Sequence, residues 1–176
     1  MPLNVQRVDY RNPRDAQALC ELLNMYAQDP MGGGEPIAPQ AVARLCSDLA
    51  AKPFAFSFIA WQSGAQGGEQ FDGAVCASTD KPVGLINCFE AYSTFKALPL
   101  INIHDIAVAP SARGQGVGQA LLQAVEQEAK NRGACKITLE VLSGNAVALK
   151  SYERFGFANY QLDPAAGQAM FMQKWL

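Results

Sequence analysis

Residues 104–118, His-Asp-Ile-Ala-Val-Ala-Pro-Ser-Ala-Arg-Gly-Gln-Gly-Val-Gly, constrain the fold more than any other stretch of this chain. An apolar run of β-formers stops at Pro110, glycines recur at Gly114, Gly116 and Gly118, and a helical stripe of Val117, Leu121, Ala124, Val125 and Ala129 begins at once. Beyond a stop at Gly133, Ile137, Leu139 and Val141 alternate as one face of a strand over Cys135–Leu142. Strand, helix and strand in this order require a parallel pair joined by a right-handed crossover. The junction also carries chemistry. Glycines leave backbone N–H groups unshielded, and a helix N-terminus aims its free N–H groups and positive dipole end outward. The result is an anion cradle, suited to a phosphate or pyrophosphate.

The elements before this unit are of another kind. Leu3–Val8 reads as a short strand. Asn12 and Pro13 supply a cap and a first-turn proline for a helix carrying Leu19, Leu22, Leu23 and Tyr26. Gly32-Gly33-Gly34 and three prolines make Asp29–Pro39 a loop, and Pro39 opens a second helix with Val42, Leu45 and Leu49. Strands are predicted at Phe54–Trp61, Ala74–Ser78, Val83–Phe95 and Leu100–Val108, joined by connections too short for crossover helices and therefore antiparallel. After the crossover unit come a short helix over Asn145–Arg154, closed by Gly156, and a final hairpin of Phe157–Gln161 with Gln168–Trp175. The expected architecture is one α+β domain over residues 1–176. It holds a mixed, largely antiparallel sheet, a central splayed parallel pair and about four helices.

Composition narrows the partners. A chain of 176 residues, 49% hydrophobic and 17% charged, builds one core and is not disordered. A net charge of −2 and scattered Lys and Arg argue against nucleic acid. Cys20, Cys46, Cys76, Cys88 and Cys135 show no Cys-x-x-Cys spacing, and there is one histidine, so no metal site is expected and the thiols read as reduced. The N-terminal stretch has no apolar core of a signal peptide, and no run approaches a membrane span, so the expected location is the cytoplasm.

Three phosphate-binding loops compete for the cradle. A P-loop needs Gly-x-x-x-x-Gly-Lys-Ser/Thr, which is missing. A dinucleotide site needs Gly-x-Gly-x-x-Gly; Gly114 and Gly116 comply but Gln119 stands at the third glycine, and one β-α-β unit is too few. What remains is Arg113-x-x-Gly116-x-Gly118. Here the chain resembles the GNAT family of N-acetyltransferases, whose signature Arg/Gln-x-x-Gly-x-Gly/Ala is matched in full. A second family motif is matched by Asn145-Ala-Val-Ala148-Leu-Lys-Ser-Tyr152-Glu-Arg-Phe-Gly156-Phe157. The likeness is sharp over residues 100–160, the expected cofactor-binding core. The N-terminal half agrees only in element order.

The resemblance implies acetyl-CoA as cosubstrate and an amine as acceptor. Its pyrophosphate would sit on the N–H groups of Arg113, Gly114, Gln115, Gly116, Val117, Gly118 and Gln119. Its pantetheine arm would lie along Ile106, Ala107 and Val108, with Asn145, Ala148 and Tyr152 as further contacts. Asn145 serves equally well as a helix N-cap. In such a reaction an amine attacks the thioester directly. An alkylammonium with a pKa of about 10.4 must first lose a proton, at roughly 4 kcal/mol near neutral pH. Tyr152 is the candidate acid for the departing thiolate, with a packed aromatic as its plain alternative. A backbone N–H within 106–108 is the expected oxyanion donor. His104 is the leading base and Asp105 the second candidate. Strand alternation is expected to put these two on opposite faces. The acceptor site would be built from loop 29–39, strand 83–95 and the final hairpin, with Tyr26, Glu35, Asn87, Glu90, Tyr92 and Phe95 as polar or aromatic members. Exposed strand edges at the C-terminal hairpin allow a homodimer. The competing class is a non-catalytic acyl-CoA-binding module on the same scaffold; a nucleotide-dependent oxidoreductase is disfavoured by the glycine spacing.

Overall fold

The computed structural model describes residues 2–64, 80–160 and 170–175. In chain order the elements are β1 (Leu3–Arg7), α1 (Pro13–Ala27), α2 (Pro39–Ala50), β2 (Ala55–Gln62), β3 (Lys81–Ser93), β4 (Leu98–Val108), α3 (Val117–Asn131), β5 (Ile137–Leu139) and α4 (Ala146–Phe155). A 3-10 turn at Pro110–Ala112 joins β4 to the glycine loop. The strands lie in the order β1-β2-β3-β4-β5, the first four antiparallel and β5 parallel to β4. The mixed sheet and four helices are those expected.

Local chemistry accounts for the helix ends. The Asn12 side chain accepts from Arg14 N–H and Pro13 opens α1. The Asn145 side chain accepts from Ala148 N–H and caps α4, which stops at left-handed Gly156. Glu126 and Lys130 pair across one turn of α3 at 3.0 Å.

The sheet is covered on both faces. On one, Leu121, Leu122 and Val125 of α3 and Tyr152 of α4 pack on Phe56, Ile86, Ile101 and Ile103. On the other, Leu19 and Leu22 of α1 and Leu49 of α2 pack on Ile59, Trp61 and Leu85. Helix α3 approaches β3 closely over Gly84, where an added Cβ would come within 2.7 Å of Val117 Cγ1 and 3.2 Å of the Ala107 carbonyl oxygen. Gly84→Ala should therefore destabilise the fold by about 1–3 kcal/mol through overpacking, seen as a lower midpoint in urea with an unchanged m-value. A midpoint within error of the parent would show that the interface yields.

Two expectations are adjusted and a third lies outside the described residues. The fifth strand pairs only over Ile137–Leu139, because its register with β4 covers Ile101, Asn102 and Ile103 and then ends. Residues 157–160 and 170–175, the described parts of the expected final hairpin, carry no strand pairing. The expected strand Ala74–Ser78, and Cys76 with it, lies outside the described residues, as do 161–169. The four described cysteines are free.

Candidate active site

The glycine loop leads from β4 into α3 with an open backbone. Gly114 and Gly116 hold φ of +76° and +81°, a backbone region in which L side chains are strained. Gly116 is the N-cap of α3 and makes no side-chain capping bond, so the first N–H groups of α3 face outward without a cap. No protein atom lies within 4 Å of where a Cβ would stand on either glycine. The open space and uncapped donors suit an anion. Gly118 differs: its φ is ordinary and its nearest neighbour is Val108 Cγ2 at 3.9 Å.

The flanking side chains secure the loop. Gln115 donates to the Ser111 carbonyl oxygen at 2.9 Å and accepts from Gln62. Gln119 donates to the Ser151 carbonyl and hydroxyl oxygens, tying α3 to α4 one residue before Tyr152. Arg113 donates to the Val108 carbonyl at 3.4 Å and pairs with Asp29 at 3.1 Å. Asp29 also accepts from Met31 N–H, and these contacts, the Met31 bond first and Arg113 second, hold its carboxyl below the usual range. Loop 28–34 is thereby fastened to the cradle. Within it Gly32 sits so tightly under α1 that a Cβ would overlap the Tyr26 carbonyl.

Beside the cradle the sheet opens. Strands β4 and β5 pair only as far as Ile103 and Leu139, so residues 105–108 have β3 as partner on one side and, among the described residues, no strand on the other. The backbone of Ile106, Ala107 and Val108 therefore has one edge without a strand partner there.

A bulge lies at the end of this stretch away from the glycine loop. Asn87 faces Asp105 in the β3–β4 register, whereas Cys88 faces Ile103, leaving His104 as the extra residue. The expectation that His104 and Asp105 point to opposite faces is thereby corrected. His104 meets the Phe89 ring edge-on at 5.4 Å, and Asp105 accepts from the Asn87 amide at 3.0 Å. Asn87 and Phe89 are two residues apart on β3 and share the α1–α2 face, so both His104 and Asp105 lie toward that face. A bulge cancels one step of alternation, which sequence reading cannot see.

Tyr152 approaches from the other face. Its ring is buried in the α3–α4 core and meets Phe157 edge-on at 5.9 Å. Among the described residues its hydroxyl makes no hydrogen bond, and no buried side-chain oxygen or nitrogen there lacks a partner, so the hydroxyl reaches open space. Burial first, and Tyr26 second, push the phenol up to about 12. Tyr26 of α1 is itself raised by burial and then by Asp105 and Asp29. Tyr26, Asp105 and Tyr152 thus gather where the strands part.

The other acceptor candidates separate. Glu90 pairs with Arg132 of α3 at 2.8 Å, in a chain that continues through Glu128 to Arg7. It is a tie between strand and helix on the face away from Asn87, and not an acceptor ligand. Tyr92 and Phe95 stand exposed near the β3–β4 turn, Phe95 completely so. Glu35 is exposed on the loop after α1. Sequence reading missed Tyr10 and Ser57, whose hydroxyls bond to each other at 2.7 Å beneath Asn87. Their only signal was a serine within the apolar run Phe54–Trp61.

Residues 41–157 match the family model described as "Acetyltransferase (GNAT) family". Streptothricin acetyltransferase of Streptomyces lavendulae is 44% identical over 68 residues, which cover 39% of this chain and 36% of that protein. Mycothiol acetyltransferase of Gordonia bronchialis is 31% identical over 117 residues, covering 61% of this chain and 38% of that protein. The chain thus spans less than two-fifths of the length of these curated relatives. In fold it resembles AAC(6')-Iy, solved in complex with the bisubstrate analogue CoA-S-monomethyl-acetylneamine, with a TM-score of 0.69, 16% identity and 100% coverage of both chains.

Proposed function

Because this chain belongs to the acetyltransferase (GNAT) family, we propose that it transfers an acetyl group from acetyl-CoA to a primary amine. The observation that carries this reading is the uncapped N-terminus of α3 behind left-handed Gly114 and Gly116, opening onto an unpaired stretch of β4 that leads to Tyr152. The relatives are acetyltransferases, and a structural neighbour was solved on a CoA analogue, which supports the cosubstrate.

The residues divide by task. N–H groups of 113–119 hold the pyrophosphate, and β4 backbone at 106–108 with Asn145 and Ala148 holds the pantetheine arm. When bound, the thioester supplies an activated acyl carbon. A backbone N–H of 106–108 faces the developing oxyanion. Asp105 draws the acceptor ammonium to the bulge, and His104 beside it takes the proton. Tyr152 stabilises the departing sulfur. A phenol at about 12 is too weak an acid to give its proton outright to a thiolate, whose thiol titrates near 8.5; the transfer is uphill by about 5 kcal/mol. Tyr152 therefore acts by donating a hydrogen bond, and the proton that ends on sulfur comes from the amine.

No helix among the described residues is long and apolar enough to cross a membrane. The free thiols support a reducing compartment, the cytoplasm, and the scattered bases a function without nucleic acid. The described parts of the C-terminal hairpin form no strand, and support for a homodimer rests instead on the outer edges of β1 and β5, which have no strand partner among the described residues.

Thermal unfolding with acetyl-CoA, ATP or NAD tests the site. At one hundred times its Kd, acetyl-CoA should stabilise the protein by about 2.7 kcal/mol, a rise of roughly 5–11 °C for a chain of this size, with no shift from the others. No shift with acetyl-CoA would end the proposal. Release of free CoA with a panel of amines then separates an enzyme from a binding module.

A further inference from the structure

Two polar residues among those described, Ser57 at 1% and Asn87 at 5% exposure, are buried in the sheet on the α1–α2 face. Such groups are costly unless every hydrogen bond is made, and an apolar pair would serve the core better. They belong to a continuous chain. The Ser57 hydroxyl donates to Asn87 Oδ1 at 2.6 Å, and Asn87 Nδ2 donates to Asp105 Oδ2 at 3.0 Å. Ser57 has one proton, already given to Asn87, so the 2.7 Å contact with Tyr10 must run from the Tyr10 hydroxyl to the Ser57 oxygen. Burial raises the Tyr10 phenol and keeps it a donor.

Every donor in the chain therefore points one way, from Tyr10 through Ser57 and Asn87 to the Asp105 carboxylate. The direction has a chemical consequence. With its Oδ1 held by the Ser57 proton, Asn87 has only its Nδ2 to offer Asp105, so the amide presents a donor and never an acceptor to that carboxyl. The other titratable groups near Asp105 are Tyr26 from α1, Cys88 from β3 and His104 beside it. Tyr26 and Cys88 are both raised, burial being the first cause and Asp105 a further one, so neither supplies a cation.

We infer that Tyr10, Ser57 and Asn87 are positioning residues for Asp105, a one-way line of donors that fixes its carboxyl group at the bulge where the acceptor ammonium arrives. This rests on the reading of Asp105 given above. Tyr10 reaches the site only through two intermediaries, on the far side of β2 from the cleft.

The test titrates the Asp105 carboxyl carbon by NMR, assigned by its loss in Asp105→Asn, alongside kinetics with acetyl-CoA and the best amine of the panel. Tyr10→Phe and Ser57→Ala should raise the Asp105 midpoint and lower kcat/KM for the amine by about threefold to tenfold, chiefly through KM, with acetyl-CoA affinity unchanged. Asn87→Asp is isosteric and sets two carboxyls against each other, so the midpoint should rise by about one pH unit or more. The double variant Asn87→Asp/Asp105→Asn keeps a carboxylate–amide pair and should recover thermal stability without recovering activity. Midpoints and amine KM that stay at parent values in all three single variants overturn the inference, even if stability falls. An Asp105→Asn enzyme with undiminished kcat/KM overturns the reading of Asp105 and the inference with it.

Discussion

Gly116→Val should weaken binding of acetyl-CoA by roughly 10- to 100-fold. Gly116 holds φ of +81° as the N-cap of α3, and a β-branched residue there is a genuine outlier. Keeping the loop in place costs about 1–2 kcal/mol of backbone strain. Relieving the strain turns the α3 N–H groups away from their anion, at about 1.5–3 kcal/mol for each charged hydrogen bond lost. Strain relieved in the free protein and reimposed on binding lowers affinity by about 5- to 30-fold, and loss of one charged hydrogen bond by about 10- to 150-fold, read by calorimetry. The unfolding temperature of the free protein should fall by about 2–8 °C. Gly118→Ala is the stability control, because its φ is ordinary and its surroundings are open, and it should melt within about 2 °C of the parent. Undiminished affinity in Gly116→Val would show that the anion sits elsewhere.

Tyr152→Phe should lower kcat by roughly 10- to 100-fold, the worth of one charge-assisted hydrogen bond to the departing sulfur. The ring is part of the α3–α4 core and its hydroxyl has no partner among the described residues, so phenylalanine should fit without loss of stability. Acetyl-CoA affinity should hold within a few-fold, since the bond strengthens only as charge develops. With the phenol pushed up to about 12, Tyr152 stays protonated across the working range, and the parent's alkaline limb should persist in the variant. Presteady-state acetyl transfer separates this chemical step from product release. An unchanged chemical rate would make Tyr152 a packing residue.

Both predictions concern the half of the site that could be read in advance. The cradle is a local object: a strand that must stop, glycines that alone accept positive φ, and a helix whose first N–H groups have no intrahelical partner. Each requirement is met within fifteen residues, 104–118, so the motif carries its geometry with it. Asn145 was equally readable, because capping is decided within three residues, as its bond to Ala148 shows. Glu90 was not. Its role as a partner of Arg132 depends on which face of β3 meets α3, and 42 residues separate the pair.

The acceptor side shows the boundary most clearly. Strand periodicity by itself placed His104 and Asp105 on opposite faces, since side chains alternate along an undisturbed strand. One extra residue in β4 against Asn87 and Cys88 reverses that outcome, and nothing in the sequence of β4 marks the bulge, because it is a property of the pairing of two strands. The same holds for Tyr10, Ser57 and Asn87, which lie 47 and 30 residues apart in turn and become one line only when β2 and β3 align. The sequence alone determined the parallel crossover, the anion cradle and the family of chemistry, because those rest on backbone preferences of neighbouring residues. Only the tertiary structure decided which carboxylate and imidazole share the cleft, because cross-strand register sets the direction of each side chain.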